Sequence, residues 1–272
     1  MIKKMPIVSI HGVPRSGTSW LGQIFNSHPD VAYRFQPLFA YRFKDLIDID
    51  SSQAKTDSFF DALYKVTDDD FILNKQEVDT RLYPVFIKKK NPEFLVMKMV
   101  RYHHLIEKFI KSTHNIKIIG IVRNPCAVIN SWLQAPKEFK KEWDSLEEWR
   151  YASKKNLNRI EEYNGFEKWK EASVMFLELQ EKYPSKFYLL QYEELVDNPL
   201  LETEKLFSYV SLNMHSQVAE FIEQSQRQEN QDPYAVFKKP GVKDRWKSEL
   251  NNNISDEIIK AIKGTRLEIF IQ

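Results

Sequence analysis

Short apolar runs punctuate the chain and mark where buried strands are expected. Four such runs are bounded by glycine or polar residues: 6–11 (PIVSIH), 94–100 (FLVMKMV), 116–122 (IKIIGIV) and 187–190 (FYLL). Runs of this length without strict alternation are typical of strands that are buried on both faces of a sheet. We therefore predict four strands.

The intervening segments repeat their apolar residues at the spacing of amphipathic helices. This spacing predicts helices over residues 18–26, 105–112 and 127–133, the last preceded by Pro125, which suits a first helical turn. Residues 144–183 carry the same spacing, with a break expected at Asn164-Gly165. Strands that alternate with helices predict an α/β fold in three layers, a central parallel sheet flanked by helices.

The chain shows no sign of division. No repeat and no Gly/Ser- or Pro-rich linker interrupts its 272 residues, so we predict one domain over residues 1–272. Residues 41–90 and 224–253 lack a clear period and receive no assignment.

Composition limits the partners and the compartment. The chain has 40 Lys and Arg against 38 Asp and Glu, a net charge of +2, so no overall charge drives it onto nucleic acid. The one cysteine, Cys126, excludes an internal disulfide and points to a reducing compartment. No run of 18 apolar residues is present, so we expect no membrane span and a cytoplasmic location.

A glycine-flanked loop follows the first predicted strand. Three of the seven glycines (Gly12, Gly17 and Gly22) fall within eleven residues, in a strand–loop–helix context. Such a turn aims backbone N–H groups and the positive end of a helix at one point, which favours a phosphate-like ligand. The predicted contacts with this ligand come from Pro14, Arg15, Ser16, Gly17, Thr18, Ser19 and Trp20. A plain strand–helix turn with an exposed arginine is the alternative interpretation.

The spacing also matches the nucleotide-binding P-loop, with one departure. Thr18 stands where the P-loop has its lysine, and Arg15 supplies a cation from inside the loop. The missing lysine weakens the prediction of an ATP hydrolase but leaves the anion cradle intact. The fold class that we predict is therefore P-loop-like.

Two further segments add candidate anion ligands. The strand at 116–122 ends at Arg123, and Ser131 lies eight residues further on, in a predicted helix. Because the carboxyl ends of parallel strands share one edge, Arg123 is expected beside the loop of Arg15. Residues 237–247 (FKKPGVKDRWK) hold five cations, among them Lys239, together with Gly241, and suit either a loop over a polyanion or a solvated basic turn.

These segments together resemble the sulfotransferase family that uses 3′-phosphoadenosine 5′-phosphosulfate (PAPS). Residues 12–18 (GVPRSGT) look like the family's 5′-phosphosulfate loop, and residues 123–131 (RNPCAVINS) look like its 3′-phosphate motif. Residues 239–247 (KPGVKDRWK) are a looser match to its C-terminal loop, and residues 192–199 (YEELVDNP) match a segment interpreted as structural. Residues 20–39 follow the helix after the loop in carbohydrate 6-O-sulfotransferases.

The resemblance implies direct transfer of a sulfuryl group from PAPS to an acceptor, without a metal. The acceptor would be a hydroxyl group, on a carbohydrate if the closest resemblance holds. Arg15 would act on the leaving side, and Lys98 matches a family lysine at its strand end. Arg123, Ser131, Lys239 and Gly241 would hold the nucleotide.

The sequence differs from the family at the position of the general base. The position of Gln36 is a catalytic glutamate in the carbohydrate enzymes, but an amide cannot accept a proton at neutral pH. Gln36 is therefore expected to orient the acceptor, and His103 or His104, near Lys98, is the candidate base.

Two other functions remain open from the sequence. A P-loop phosphotransferase using ATP would need a magnesium-binding Asp at a strand end, and no predicted strand ends in Asp. A non-catalytic protein that binds PAPS or its desulfated product PAP is the other, and Gln36 is the argument for it.

Overall fold

A computed structural model describes residues 5–75, 83–113, 115–228, 230, 232–236 and 242–271. It contains a five-stranded parallel sheet in the order β2-β3-β1-β4-β5, formed by β1 (Ile7–His11), β2 (Val31–Phe35), β3 (Phe94–Met99), β4 (Ile116–Val122) and β5 (Phe187–Gln191). The loop after β1 therefore leaves the middle of the sheet, as the P-loop-like prediction requires.

Helices connect the strands. They are α1 (Thr18–Asn26), α2 (Gln53–Tyr64), α3 (Ile106–Ser112), α4 (Pro125–Leu133), α5 (Ser145–Tyr151), α6 (Ser153–Asn156), α7 (Phe166–Lys182), α8 (Tyr192–Asp197), α9 (Pro199–Val210), α10 (Ser216–Arg227), α11 (Trp246–Glu249) and α12 (Asn252–Ile262). Short 3₁₀ turns cover His103–Leu105, Val242–Asp244 and Arg266–Phe270.

Both faces of the sheet are packed with apolar side chains. On one face, Val8 and Ile10 of β1 join a core with residues of α1, α9 and α10. On the other face, Met97 of β3 and Ile118 of β4 join a core with residues of α2, α3, α4, α7 and α12. The predicted arrangement of a parallel sheet between two helical layers is thereby confirmed.

Strand β2 is the element that the apolar pattern does not predict: the predicted helix ends at residue 26, and residues 31–35 receive no strand assignment. In the structure α1 ends at Asn26, and β2 pairs with β3 in register, with Phe35 beside Lys98. Arg34 interrupts the apolar pattern of β2, yet its side chain is buried. Its guanidinium satisfies carbonyl oxygens of Tyr33, Leu63, Tyr64 and Val66, at 2.6–3.1 Å.

Two predictions drawn from composition can be compared with the described part of the chain. Cys126 is a free, buried thiol at the start of α4, and burial raises its pKa to about 12. Among the described residues, no helix is both long and apolar enough to cross a membrane.

Candidate active site

One cavity lies across the carboxyl ends of the strands. It has a volume of about 490 Å³ and is lined from the loop after β1, from Arg123 after β4, from Tyr192 after β5, and from Gln36 and Lys98 at the ends of β2 and β3. In an open parallel sheet this edge is where ligands bind.

The loop after β1 adopts a backbone that few residues tolerate. Arg15 and Gly17 have φ angles of 74° and 90°, in the left-handed region. A Cβ atom at Gly17 would lie 2.4 Å from the Tyr192 ring, so a glycine is needed for close approach as well as for conformation. The loop is therefore built tightly against the start of α8.

The same loop presents unsatisfied donors. Helix α1 begins after Gly17 without a side-chain cap, so no side chain occupies the N–H groups of its first turn. The Ser16 hydroxyl is buried and has no hydrogen-bond partner among the described residues. Free N–H groups at a helix N-terminus and an orphaned hydroxyl fit an anion.

Arg15 is held by residues far along the chain. Its Nε donates to Ser131 Oγ at 3.0 Å, and its Nη2 donates to the Pro233 carbonyl at 2.7 Å. Its guanidinium also lies 5.2 Å from the centre of the Tyr234 ring and 3.7 Å from a Glu138 carboxylate oxygen. Ser131, a candidate anion ligand from the sequence, is thus in direct contact with Arg15.

Arg123 lies behind the loop. Its Nη1 donates to the Arg15 carbonyl at 3.1 Å, and its guanidinium stacks 4.6 Å from the centre of the Tyr192 ring. Its Nε is buried without a partner among the described residues. A buried guanidinium N–H without an acceptor is a site that an anionic oxygen would fill.

Gln36 and Lys98 lie on the other side of the loop. The Gln36 backbone N–H donates to the Lys98 carbonyl at 2.8 Å, and Gln36 has a φ of 39°. The Lys98 ammonium, on a buried side chain, lies 4.4 Å from the centre of the Phe35 ring. Arg101 Nη1 donates to Gln36 Oε1 at 2.9 Å, which leaves the amide NH₂ of Gln36 as its donor group.

His103, the candidate base, is not brought to the cavity. Its side chain is fully buried, with Nδ1 at 3.1 Å from His11 Nδ1 and its ring 4.4 Å from that of Tyr163. Burial, together with the neighbouring His11, lowers the pKa of His103 well below its usual value. A fully buried imidazole that does not line the cavity cannot contact an acceptor, so we no longer assign it as the base.

His104 does not line the cavity either. Its side chain is half-buried, and burial lowers its pKa. The neighbouring charges that act on it come from Glu161, Lys168 and Glu171.

Most of the other predicted site residues meet at the cavity. Those that line it are Pro14, Arg15, Gly17, Thr18, Ser19, Trp20, Gln36, Lys98, Arg123 and Ser131, and Ser16 is buried in the loop among them. Lys239 and Gly241 lie outside the described residues. From the same segment, Lys243 lines the cavity and pairs with Asp197, and Trp246 packs against the core.

The cavity also contains residues that the sequence did not single out. They include Arg101, Lys137, Glu138, Lys155, Tyr192 and Tyr234. Tyr192 opens the segment 192–199 that was interpreted as structural, and Arg101 stands three residues after Lys98. Glu138, Lys155 and Tyr234 belong to no sequence motif from which their place in the cavity could be predicted.

Known sulfotransferases resemble this chain in sequence and in fold. The zebrafish protein carbohydrate sulfotransferase 1 is 20% identical, over 92% of this chain and 74% of its own length. Mouse sulfotransferase SULT7A1, solved in complex with PAP, shares the fold with a TM-score of 0.54 and 13% identity, over 98% of this chain and 87% of that one. The sulfotransferase domain from the curacin biosynthetic pathway has a TM-score of 0.52 and 15% identity, over 95% and 97% of the two chains.

A family model matches most of the chain. Residues 6–216 match the family described as "Sulfotransferase family", a stretch that includes the loop after β1, Gln36, Lys98, Arg123 and Ser131. The segments at residues 12–18, 20–39, 123–131 and 192–199 thus lie within the matched region, whereas residues 239–247 lie beyond it. This chain belongs to the sulfotransferase family.

Proposed function

We propose that this protein transfers a sulfuryl group from PAPS to a hydroxyl group of a carbohydrate acceptor. The observation that carries the proposal is that the loop after β1, the middle strand of the sheet, lines the cavity between two groups of residues. Arg123 and Ser131 contact this loop from the β4 side through Arg15, and Gln36 and Lys98 lie on the β3 and β2 side. One side thus suits a nucleotide and the other an acceptor.

The residues on the first side fit PAPS. The uncapped start of α1 and the orphaned Ser16 hydroxyl suit the 5′-phosphosulfate, because both provide donors without a protein partner. Arg123, with its unpartnered buried Nε, and Ser131 would bind the 3′-phosphate. PAPS supplies an activated sulfuryl group whose departure leaves negative charge on a phosphate oxygen.

Catalysis would then rest on the cations around the loop. Arg15 and the loop N–H groups would stabilise the charge that develops on the leaving phosphate. Lys98, across the loop on β3, would act on the sulfuryl group from the acceptor side. Gln36 would hold the acceptor through its amide NH₂, because its oxygen already accepts from Arg101.

The carbohydrate acceptor is supported by three observations. Residues 20–39 resemble the carbohydrate 6-O-sulfotransferases, and the zebrafish relative carries a carbohydrate sulfotransferase name. The acceptor side of the cavity also has the aromatic rings of Phe35, Phe39 and Phe71, on which the apolar face of a sugar ring can lie.

The ATP-dependent alternative finds less support. The residues that directly follow the five strands are Gly12, Gln36, Val100, Arg123 and Tyr192, and none of them is a carboxylate that could hold magnesium in the P-loop manner. We therefore favour PAPS over ATP with magnesium.

Thermal unfolding with matched nucleotides tests the proposal first. PAP should raise the melting temperature more than AMP, which lacks only the 3′-phosphate, because ligands that bind the folded state stabilise it. Transfer of labelled sulfate from PAPS to a panel of glycans is the second measurement. Stabilisation by ATP with magnesium but not by PAP would refute the proposal. Binding of PAP without transfer to any acceptor would support a non-catalytic binding protein instead.

A further inference from the structure

The charge inside the cavity differs from that of the chain. The whole chain is nearly balanced, with 40 basic and 38 acidic residues. Among the described residues that line the cavity, seven are Lys or Arg, and Glu138 is the one carboxylate. Cations therefore predominate in the lining, although Arg101 and Lys243 are paired with Glu162 and Asp197, and such a lining favours anionic ligands.

These cations fall into two groups on either side of the loop after β1. Arg15, Arg123, Lys137 and Lys243 surround the side assigned to the nucleotide: Lys137 stacks on Tyr234, as Arg15 does, and Lys243 pairs with Asp197 of α8. This group can serve the phosphates of PAPS. The other cations, Lys98, Arg101 and Lys155, remain for the sulfuryl group and the acceptor.

Arg101 is held rigidly with one edge left open. Its Nε donates to a Glu162 carboxylate oxygen at 2.8 Å, its Nη1 donates to Gln36, and its guanidinium lies 4.1 Å from the centre of the Phe39 ring. No described residue accepts from its Nη2. A guanidinium fixed in this way loses little conformational entropy when it binds an oxyanion.

Lys155, unlike Arg101, has no carboxylate partner among the described residues. Its side chain lines the cavity and makes no ion pair among the described residues, whereas its neighbour Lys154 pairs with Glu147 and Glu148. Hydrogen bonds connect the segment that carries Lys155 to Arg101: Asn164 Nδ2 donates to Asn156 Oδ1 and to Glu162 Oε2, and Glu162 Oε1 accepts from Arg101. Because this network joins α6 to Arg101, we assign Lys155 to the acceptor side of the cavity.

Apolar surface lies beside Arg101. The rings of Phe35 and Phe71 are 5.4 Å apart, and those of Phe39 and Phe71 are 5.9 Å apart, so the three form one aromatic surface. Because Arg101 stacks on Phe39, its open edge lies at the border of this surface. The arrangement fits a ring that carries an anionic group.

We propose that the acceptor is anionic and that Arg101 and Lys155 bind a carboxylate or sulfate ester close to the accepting hydroxyl. Both residues then determine specificity: Lys155 supplies a charge that no described carboxylate pairs with, and Arg101 supplies a donor edge that its pair with Glu162 leaves open. This inference rests on the proposed function, because it assigns the acceptor side of the same cavity.

Binding of matched sugars to the protein saturated with PAP tests the inference. One pair is 4-nitrophenyl β-D-glucuronide and 4-nitrophenyl β-D-glucoside, which differ in one carboxylate. The other pair is 4-nitrophenyl N-acetyl-β-D-glucosaminide with and without a 6-sulfate. Calorimetric titration should show binding about tenfold tighter for the anionic member of at least one pair. The pair that shows this preference identifies the anion as carboxylate or sulfate ester.

Substitutions of Arg101 and Lys155 test whether these two residues cause the preference for the anionic sugar. Lys155→Met and Arg101→Gln should each reduce it at least about threefold, and Lys154→Met, the matched control, should leave it unchanged. Arg101→Gln leaves the Glu162 carboxylate without its partner, so Lys155→Met is the decisive variant if Arg101→Gln fails to fold. PAP-induced stabilisation verifies that each variant is folded.

The possible failures are distinguishable. Equal or weaker binding of the anionic members in both pairs, or no binding of any anionic probe, overturns this inference while PAP binding leaves the proposed function intact. A preference that survives in Lys155→Met and in a folded Arg101→Gln also overturns it. Failure of PAP to bind overturns the proposed function and this inference together.

Discussion

Arg15 Nε donates a hydrogen bond to Ser131 Oγ across 116 positions of sequence, at 3.0 Å. The contact joins the loop after β1 to the helix after β4, and it places the cation of the loop beside the hydroxyl of the second motif. Arg15 is assigned to the 5′-phosphate of PAPS and Ser131 to its 3′-phosphate, so their contact joins the two phosphate sites of one nucleotide.

Substitution of Arg15 and substitution of Arg123 should impair different properties of the enzyme, turnover in the first case and nucleotide binding in the second. Arg15→Ala should mainly lower kcat, because Arg15 faces charge that grows on the leaving phosphate. Arg123→Ala should mainly weaken PAP binding, about ten- to a hundredfold, because the 3′-phosphate keeps its charge throughout the reaction. Steady-state kinetics at saturating PAPS and titration with PAP separate the two effects. Equal losses of kcat in both variants would contradict this division.

Gln36→Glu should lower activity rather than restore a base. A carboxylate at this position would lie beside the Arg101 guanidinium, which now donates to Gln36 Oε1 at 2.9 Å. That cation would stabilise the ionised form and lower its pKa, so the new group would be a weak base. It would also remove the amide donor, and we expect about a tenfold lower kcat/KM. Gln36→Met is the uncharged control, and a Gln36→Glu variant more active than the native protein would refute this expectation.

Acid should destabilise the fold through its buried histidines. Burial lowers the pKa of His11 to about 3 and lowers those of His28, His103 and His104. The unfolded chain binds these protons near pH 6.5, whereas the folded chain does not, so stability is full above that pH and falls as pH decreases below it. Each histidine contributes at most about 1.4 kcal/mol per pH unit.

Urea unfolding at pH 7.5, 6.5 and 5.5 measures this dependence. His103→Gln removes one member of the buried pair with His11 and should flatten the slope below pH 6.5. A free energy of unfolding that does not change between pH 7.5 and 5.5 would count against burial of the neutral imidazoles.

Arg34 should stabilise β2 strongly. Burial lowers its pKa to about 10, so it remains charged at neutral pH and donates to four backbone carbonyl groups. Arg34→Leu leaves these carbonyls without their donor and should cost about 3 kcal/mol or more of unfolding free energy. Arg42→Leu, which removes an exposed pair with Asp68, should cost less than about 1 kcal/mol. Similar losses in the two variants would contradict the role given to Arg34.

The sequence by itself determined the elements whose signals are local. The apolar runs predicted β1, β3, β4 and β5, and the glycine spacing predicted the loop and its helix within a few residues of their observed bounds. These features depend on side-chain burial along one strand or on the backbone freedom of one residue. Neighbouring positions in the chain are enough to reveal them.

The tertiary structure decided what depends on distant pairs. Arg34 contributes to β2 because carbonyls about 30 residues away accept its hydrogen bonds, and without them it looks like a polar interruption. His103 lies next to His11, 92 positions away, and is buried there instead of reaching the cavity. Arg101 donates a hydrogen bond to Gln36 Oε1, although the two residues are 65 positions apart in the sequence. The protonation state of a side chain and the hydrogen bonds that it makes depend on its burial and on its neighbours. Only packing across the sheet brings these neighbours together.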